Sequence, residues 1–408
     1  MTASAAIVER LSTGPSREEL LAQVPALAAE IGREAARRDL ERELPFAAFQ
    51  LFRESGLGAL RIPRELGGPG GSAEDYIEVI TAIGAADSNV AHALRSHFNF
   101  TEALLLDPGA PRAREHLAHV LAGRLFGGAH TEQGGKKPGE INTVLSRGPD
   151  GTYRLNGRKW YATGTAFADF ASFSARTEAG DFVSVLIPVD REGVSILDDW
   201  DGMGQRLTAS GGVLLENVVV HEEELAPRAL DGLVGRHTST LRQLHLVAAV
   251  AGSVRAILRE GTDYVRRQAR AAQHSPAASA REDHFVQKTL GDIAAAAFAI
   301  DTLIAEAART LDRSVAAFAA GDPEPALLDS ALTTARVQVV IAQLALKAAE
   351  DMFELGGGSA TSRKYNFDRH WRNIRTVLNH NPLLHKSRII GDFYLNGVTT
   401  HLEEGKVF

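Results

Sequence analysis

The period of the hydrophobic pattern changes twice along this chain, and that change limits its fold more than any single motif does. From Glu18 to Leu125 apolar residues recur at intervals of three and four, as in LLAQVPALAAEIGREAARRDLERELPFAAFQLFRESGLGAL, with Gly56 and Gly58 marking a stop. From Phe126 to about Leu225 the period falls to two and glycine becomes frequent. There NTVLSRGPDGTYRLNGRKWYAT predicts a hairpin, with turn chemistry at Pro149-Asp150-Gly151 and a second tight turn at Asn156-Gly157. ASFSARTEAGDFVSVLIPV repeats the theme, bending at Glu178-Ala179-Gly180-Asp181, and GGVLLENVVV closes the region. After Val234 come three alanine-rich helical runs, Leu241–Ala271, Glu282–Ala320 and Glu324–Leu355, separated by His274–Ala280 and Gly321-Asp322-Pro323. A last helical pair follows the glycine run Gly356-Gly357-Gly358. Runs of such length with apolar stripes pack antiparallel as a bundle. The expectation is an α+β, mainly α chain: a helical domain over 1–125, a β domain over 126–233 and a helical bundle over 234–408.

Composition removes several function classes. At 408 residues, 44% hydrophobic and 23% charged, the chain is globular and long enough for more than one packed unit. A net charge of -7 argues against sequence-independent nucleic-acid binding, which needs a basic footprint. The absence of cysteine excludes disulfides, thiolate catalysis and cysteine zinc sites. His380 and His385 are spaced wrongly for two ligands on one helical face, so no metal is expected. No apolar run is read as reaching membrane-spanning length, and Met1–Gln23 lacks the hydrophobic core of a signal peptide. A cytoplasmic protein with no membrane and no nucleic-acid partner is expected.

Chemistry concentrates in Phe367–Pro382, FDRHWRNIRTVLNHNP, which holds Arg369, Arg372, Arg375, an indole and two histidines, with Arg388 just beyond. Such a density of cations suits an anionic planar ligand, or a basic helix face that pairs with carboxylates elsewhere. His380 lies in the helix break Asn379-His380-Asn381-Pro382, where an imidazole donates, accepts or caps carbonyls. His97, in LRSHFNF, belongs to a pocket or to a core. Glu222-Glu223-Glu224 reads as a solvated turn, Trp160 as a strand-anchoring core indole, and Gly67–Gly71 as no phosphate loop, since no Gly-Lys-Ser/Thr follows.

Helix, sheet and bundle in this order resemble the acyl-CoA dehydrogenase superfamily over almost the whole chain. Ala129-His130-Thr131-Glu132-Gln133-Gly134 resembles the family's strand that lines the flavin, and Asn156-Gly157-Arg158-Lys159-Trp160-Tyr161-Ala162-Thr163-Gly164 its second flavin strand. Arg266 and Gln268 fall where the family reaches a neighbouring subunit's cofactor, and Gly356-Gly357-Gly358 resembles its late glycine motif. One departure stands out. A dehydrogenase needs a carboxylate to remove the substrate's α-proton. The corresponding Val377-Leu378-Asn379 has none, and neither has STLRQLH over Ser239–His245. RHWRNIRTVLNHNP and Tyr264–Arg270 instead resemble the flavin-dependent monooxygenase branch, the group containing dibenzothiophene monooxygenase and related sulfur-acquisition enzymes. Sulfur-oxidising members often carry another histidine where this chain has Val377.

That resemblance implies reduced FMN, with FAD as the alternative cofactor, delivered by a separate NAD(P)H-dependent flavin reductase. It further implies reaction with O2 through a C4a-hydroperoxide, oxygen transfer to sulfur or nitrogen of a small molecule, and a homotetramer. Carried over residue by residue, Thr163 stands beside flavin N5, while His380 and His97 steer the peroxide. Tyr161 faces the flavin, and His130 and Thr131 serve its pyrimidine edge largely through backbone groups. Arg266 or Arg270 of an adjacent subunit holds the phosphate together with Gly357, Gly358 and Ser359, with Arg369 and Arg372 as further cations. Asp198–Gly211 and Gln273–Asp283 are expected to be irregular segments that complete the pocket. Two other readings remain open: an FAD-dependent acyl-CoA dehydrogenase with its base at Asp368 or Asp392, and a non-catalytic scaffold of the same fold.

Overall fold

The computed structural model describes residues 14–134, 139–148, 150–227 and 232–403. Pro149 of the expected turn, and residues 1–13 of the stretch inspected for a signal peptide, lie outside the described residues. Among the described residues seven α-helices come first: α1 (Arg17–Gly32), α2 (Ala35–Glu41), α3 (Phe46–Ser55), α4 (Ala73–Ala86), α5 (Ser88–Ala93), α6 (Arg95–Leu106) and α7 (Ala113–Leu121). Local chemistry sets their starts. Ser16 with Glu19, and Ser72 with Asp75, form capping boxes that satisfy the first free N–H groups of α1 and α4. Asp87 caps α5 by accepting from the Asn89 N–H.

Eight strands follow: β1 (Phe126–Ala129), β2 (Val144–Arg147), β3 (Tyr153–Lys159), β4 (Phe170–Thr177), β5 (Phe182–Pro188), β6 (Val194–Ile196), β7 (Val213–Val220) and β8 (Leu225–Pro227). Their order is β6-β7-β3-β2-β4-β5-β8, with β1 beside β4; β1 and β2 run parallel to β4, and the other pairs are antiparallel. Leu145, Leu155, Phe173, Val185, Ile187, Val213 and Val218 form the core of the sheet. Asn156-Gly157 is not the second tight turn that the sequence predicts. It lies inside β3, where the pairing with β7 shifts register, and the Asn156 side-chain oxygen accepts from the Asn217 N–H at 2.7 Å. Glu222-Glu223-Glu224 is only partly a solvated turn: Glu224 is buried, accepts twice from Arg191 at 2.6 and 2.7 Å, and caps the His221 N–H.

The bundle comprises α8 (Gly232–Arg267), α9 (His284–Ala320), α10 (Glu324–Glu354), α11 (Asp368–Leu378), α12 (Leu383–Asn396) and the short α13 (Thr400–Glu403). At its centre α8 packs against α4, α9 and α10. A window of α8 reaches a mean hydropathy of 1.3 over 18 residues, which corrects the expectation that no run is apolar enough to cross a membrane. That window is 83% buried inside the protein, as a helix packed on every side must be. A Cβ at Gly252 would stand 2.4 Å from the Thr81 carbonyl and 2.5 Å from the Ala85 nitrogen, so α4 and α8 cross backbone against backbone. Glu102 on α6 ties the same halves together through Arg61 at 2.8 Å and through His237 of α8 at 3.1 Å.

Candidate active site

Where α5 and α6 meet the turn after β3, the loop between β6 and β7, α8 and the end of α11, polar side chains from distant parts of the chain converge. Gly164 makes the first of these contacts possible. Its φ is +78°, and a Cβ there would lie 2.2 Å from the Ala93 carbonyl, so the Thr163-Gly164 turn sits directly on the end of α5. Gly164 also donates its N–H to the Thr208 carbonyl at 3.0 Å, which holds the turn against the β6–β7 loop.

Thr163 is buried, and its hydroxyl begins a chain. Thr163 Oγ1 lies 2.6 Å from Ser210 Oγ, Ser210 Oγ lies 2.6 Å from Thr208 Oγ1, and Thr208 donates to the Gln205 carbonyl at 2.8 Å. The carbonyl can only accept, and each hydroxyl has one hydrogen. Thr208 therefore donates to Gln205, Ser210 to Thr208, and Thr163 to Ser210. The Thr163 oxygen is left with acceptor capacity alone.

Gln205 is the hub of this arrangement. It and Ala209 occupy the left-handed region at φ 51° and 49°, a conformation that bulky residues hold only under constraint. The constraint is visible: the Gln205 N–H donates to Asn373 Oδ1 at 2.6 Å, its Nε2 to Ser88 Oγ at 3.3 Å, and its Oε1 meets His92 Nδ1 at 3.2 Å. Farther along, Asp199 accepts from the Gly212 N–H at 2.7 Å, and Arg42 holds Asp198 at 2.7 Å. Asp198–Gly211 is irregular, as expected, and tightly tied.

His92 escaped the sequence reading. Because Gln205 Oε1 accepts, His92 carries its proton on Nδ1, and its buried Nε2 is a lone pair with no partner. Burial and the neighbouring Arg95 charge lower its pKa to about 3, so the ring is neutral. His97, five residues on, was the histidine chosen from this stretch, and the structure removes it from the site. Its Nε2 donates to the Gly58 carbonyl at 2.9 Å and its Nδ1 accepts from the Phe126 N–H at 3.3 Å, so both nitrogens are bound to backbone in a core. Burial lowers that imidazole to about 4.

His380 does lie in the cluster. Arg95 Nη1 donates to His380 Nε2 at 3.0 Å; an arginine cannot accept, so His380 holds its proton on Nδ1. The ring is exposed at its edge yet has protein around it, and burial followed by the Arg95 charge keeps it well below its usual pKa. The next residue, Asn381, donates to Gln243 Oε1 on α8 at 2.9 Å. His245 on α8 donates to the Ala91 carbonyl at 2.7 Å and accepts from the Tyr76 hydroxyl, which docks α8 onto α5.

The expected flavin edge forms a rim next to Thr163. His130 and Thr131 are exposed, Thr131 donates its hydroxyl to the Trp160 carbonyl at 2.6 Å, and the Trp160 N–H returns to the Thr131 carbonyl at 2.9 Å. Behind them Glu132 accepts from buried Lys159 at 2.6 Å. Tyr161, at φ 56° and 56% exposed, stands edge-on to Trp200. Trp160 is half-buried rather than part of a core.

Arg369 and Arg372 take the second of the two roles open to them, pairing with carboxylates. Arg369 is buried and spent on structure, donating to Glu260 at 2.6 Å and to the Asn366 carbonyl at 2.9 Å, with His370 on the other oxygen of Glu260. Arg372 pairs with Asp39 and Asp368, each at 2.7 Å. Both are cations of a helix face that meets carboxylates elsewhere in the chain. Arg266, Arg270, Gly357, Gly358 and Ser359 are exposed, the last three at the start of a 3-10 turn over Gly357–Thr361. Arg266 stands 24 residues beyond Arg242 on the unbroken α8, about 36 Å at 1.5 Å per residue. One chain therefore does not bring this set together with Thr163 and His380. Asp368 is exposed and bound to Arg372, and Asp392 to Asn396 and Arg388, so neither joins the cluster. A hollow of about 800 Å³ between α3 and the segments that lead into β1 and β4 is a separate surface feature whose Arg53 and Arg124 both pair with Asp169.

A hydroxyl, two neutral histidines and Arg95 thus meet at the junction of a helical domain, a sheet and a bundle, and neither Asp368 nor Asp392 joins them. Comparisons with known proteins give the family. The chain matches the acyl-CoA dehydrogenase N-terminal domain over residues 15–124, the middle domain over 128–218 and the C-terminal domain over 244–383. It is 29% identical over 385 residues to the probable FMNH2-dependent monooxygenase SfnC of Pseudomonas putida, covering 92% of this chain and 94% of that one. Identity to dibenzothiophene monooxygenase of Mycolicibacterium goodii is 30% over 363 residues, 85% of this chain and 86% of the relative. TdsC of Paenibacillus sp. A11-2, solved with FMN and indole, matches at a TM-score of 0.85 and 28% identity, covering 95% of this chain and 99% of TdsC. The chain belongs to the acyl-CoA dehydrogenase family, in the branch of its flavin monooxygenases.

Proposed function

We propose that this protein is a two-component monooxygenase that accepts reduced FMN from a separate NAD(P)H-dependent flavin reductase. With O2 it places one oxygen atom on a small sulfur- or nitrogen-containing compound. The direction of the Thr163 hydroxyl chain carries the proposal. Reduced flavin has an N–H at N5, and a buried oxygen that can only accept is the group that keeps that hydrogen in place. The donor set thus fits reduced FMN, which when bound supplies the electrons that activate O2.

Each remaining task falls to a named atom. Thr163 Oγ1 accepts the N5 hydrogen, and Ser210 and Thr208 hold that hydroxyl in its orientation. His380 offers a hydrogen bond from its Nδ1–H, while the His92 Nε2 lone pair can accept one. The rim of His130, Thr131 and Tyr161 borders the flavin's edge and limits the access of water. Arg266 and Arg270, with the free N–H groups at Gly357 and Gly358 and the Ser359 hydroxyl, serve the phosphate of a cofactor in an adjacent protomer. A homotetramer is supported by exposed Phe285, Phe298, Leu384 and Leu395 on α9 and α12, an apolar surface suited to other copies of the chain. The lack of cysteine is in keeping with a cytoplasmic setting. The pairing of Asp368 with Arg372 and of Asp392 with Arg388 weighs against a dehydrogenase.

Rapid mixing of the protein and photoreduced FMN with oxygenated buffer tests this. A flavin absorbance transient lasting seconds, distinct from reduced and oxidised FMN, is expected for wild type. Its lifetime should fall at least tenfold in Thr163→Val and in His380→Ala, and recover in Thr163→Ser. Reoxidation as fast as that of free FMN in the wild type would overturn the proposal and direct attention to acyl-CoA substrates with FAD.

A further inference from the structure

Several of the enclosed arginines of this protein are matched by carboxylates. Arg61, Arg191, Arg369 and Arg372 are buried or partly buried and each meets a carboxylate within 2.8 Å. Arg95 and Arg242 are likewise enclosed by protein, yet among the described residues neither has a carboxylate within the 4.0 Å of an ion pair. Arg95 gives one N–H to the neutral His380 at 3.0 Å, and the buried Nε–H of Arg242 has no partner at all.

These two charges face the same place. Arg95 opens α6 and reaches His380 itself, and Arg242 on α8 lies near enough for its charge to act on His380 and to feel that of Arg95. Burial lowers both guanidinium groups to about 10, and for Arg242 the Arg95 charge adds to the effect. Two like charges, partly withdrawn from water and without an anion among the described residues, repel each other. The rings around them, His92, His245 and His380, are all held neutral and offer no negative charge. A protein that keeps such a pair has left the counter-charge to something that binds.

We propose that Arg95 and Arg242 hold an oxyanion of the substrate in the cleft beside His380, so that the compound oxygenated is a small organic anion such as a sulfinate, sulfonate or carboxylate. This rests on the monooxygenase reading for the identity of the site, and it narrows the substrate class. A neutral thiophene would leave both cations unmatched. The reacting atom would then lie within reach of His380, whose Nδ1–H can hydrogen-bond to it.

Calorimetric titration of the flavin-free protein with methanesulfonate, an unreactive oxyanion, and with dimethyl sulfone, a neutral molecule of similar shape, provides the test at constant ionic strength. FMN binding is followed separately by fluorescence quenching. Methanesulfonate should bind and the sulfone should not, and saturating FMN should leave the methanesulfonate site open. Arg95→Gln and Arg242→Gln should each weaken methanesulfonate at least tenfold while FMN quenching changes less than threefold. Arg242→Met should melt no lower than wild type without ligand, since it removes an unmatched charge, whereas a purely structural arginine would lower the melting temperature. Three results would overturn the assignment: no methanesulfonate binding with FMN quenching intact, equal binding of the sulfone, or displacement of methanesulfonate by FMN but not by riboflavin. The last would give the arginines to the cofactor's phosphate. Loss of FMN quenching in the wild type would count instead against the flavin reading itself.

Discussion

Thr163 and Ser210 are 47 residues apart, and one carbonyl decides which way their hydrogens point. Ser210→Ala should therefore impair Thr163 without touching it. With no acceptor for its hydrogen the Thr163 hydroxyl rotates freely, and about 1 kcal/mol of stability is lost with the hydrogen bonds. Stopped-flow measurement should show a shortened flavin transient in Ser210→Ala and near-normal behaviour in Ser210→Thr; an unchanged transient in the alanine variant would refute the chain's role. Sequence exposed Thr163 and His380 through motifs, but it could not separate His92 from His97. Both are histidines of one helical stretch with apolar neighbours, and only the partners of their nitrogens distinguish them: Gly58 and Phe126 backbone for one, a lone Gln205 oxygen for the other. Arg95 and Arg242 carried no signal, because an unpaired arginine differs from a paired one only in what lies opposite.

At the scale of elements, the site depends on α5, α6 and α8 being held in fixed relation. Gly252 sets the closeness of α4 to α8, and the atoms a methyl would strike there are backbone atoms of α4 that cannot swing aside. Gly252→Ala should cost about 3 kcal/mol, read as a lower urea midpoint, and should weaken FMN binding in the same variant. An unaltered midpoint would mean that the helices separate at no cost. The three long helices and the β2–β3 hairpin were legible because local period and turn chemistry report burial directly. Asn156-Gly157 was misread for a related reason: the same dipeptide serves a two-residue turn and a bulge, and pairing with β7, which follows much later in the chain, selects between them.

The molecule as a whole should be sensitive to acid. Burial lowers His92 and His245 to about 3, and His97 and His116 to about 4. Between the ordinary histidine pKa of about 6.5 and these values, the unfolded chain binds protons that the folded chain refuses, so stability falls as pH falls. His97 alone accounts for up to about 3 kcal/mol by pH 4. Glu102 and Glu260 act in the same direction at lower pH, since their depressed pKa values add stability that is lost as carboxylates protonate. Melting temperature should drop steadily from pH 7 to pH 5; a flat profile over that interval would show that these rings are not buried neutral. By itself the sequence determined the order of helix, sheet and bundle, the motifs that resemble the family's, and the lack of a carboxylate at Val377-Leu378-Asn379 and over Ser239–His245, since each is written in local period or in the residue types of a short segment. Tertiary structure alone decided which cations have counter-ions, which histidine keeps a free nitrogen and which way a hydroxyl points. Those properties belong to pairs of groups drawn from distant segments of the chain, and no local pattern records who stands opposite whom.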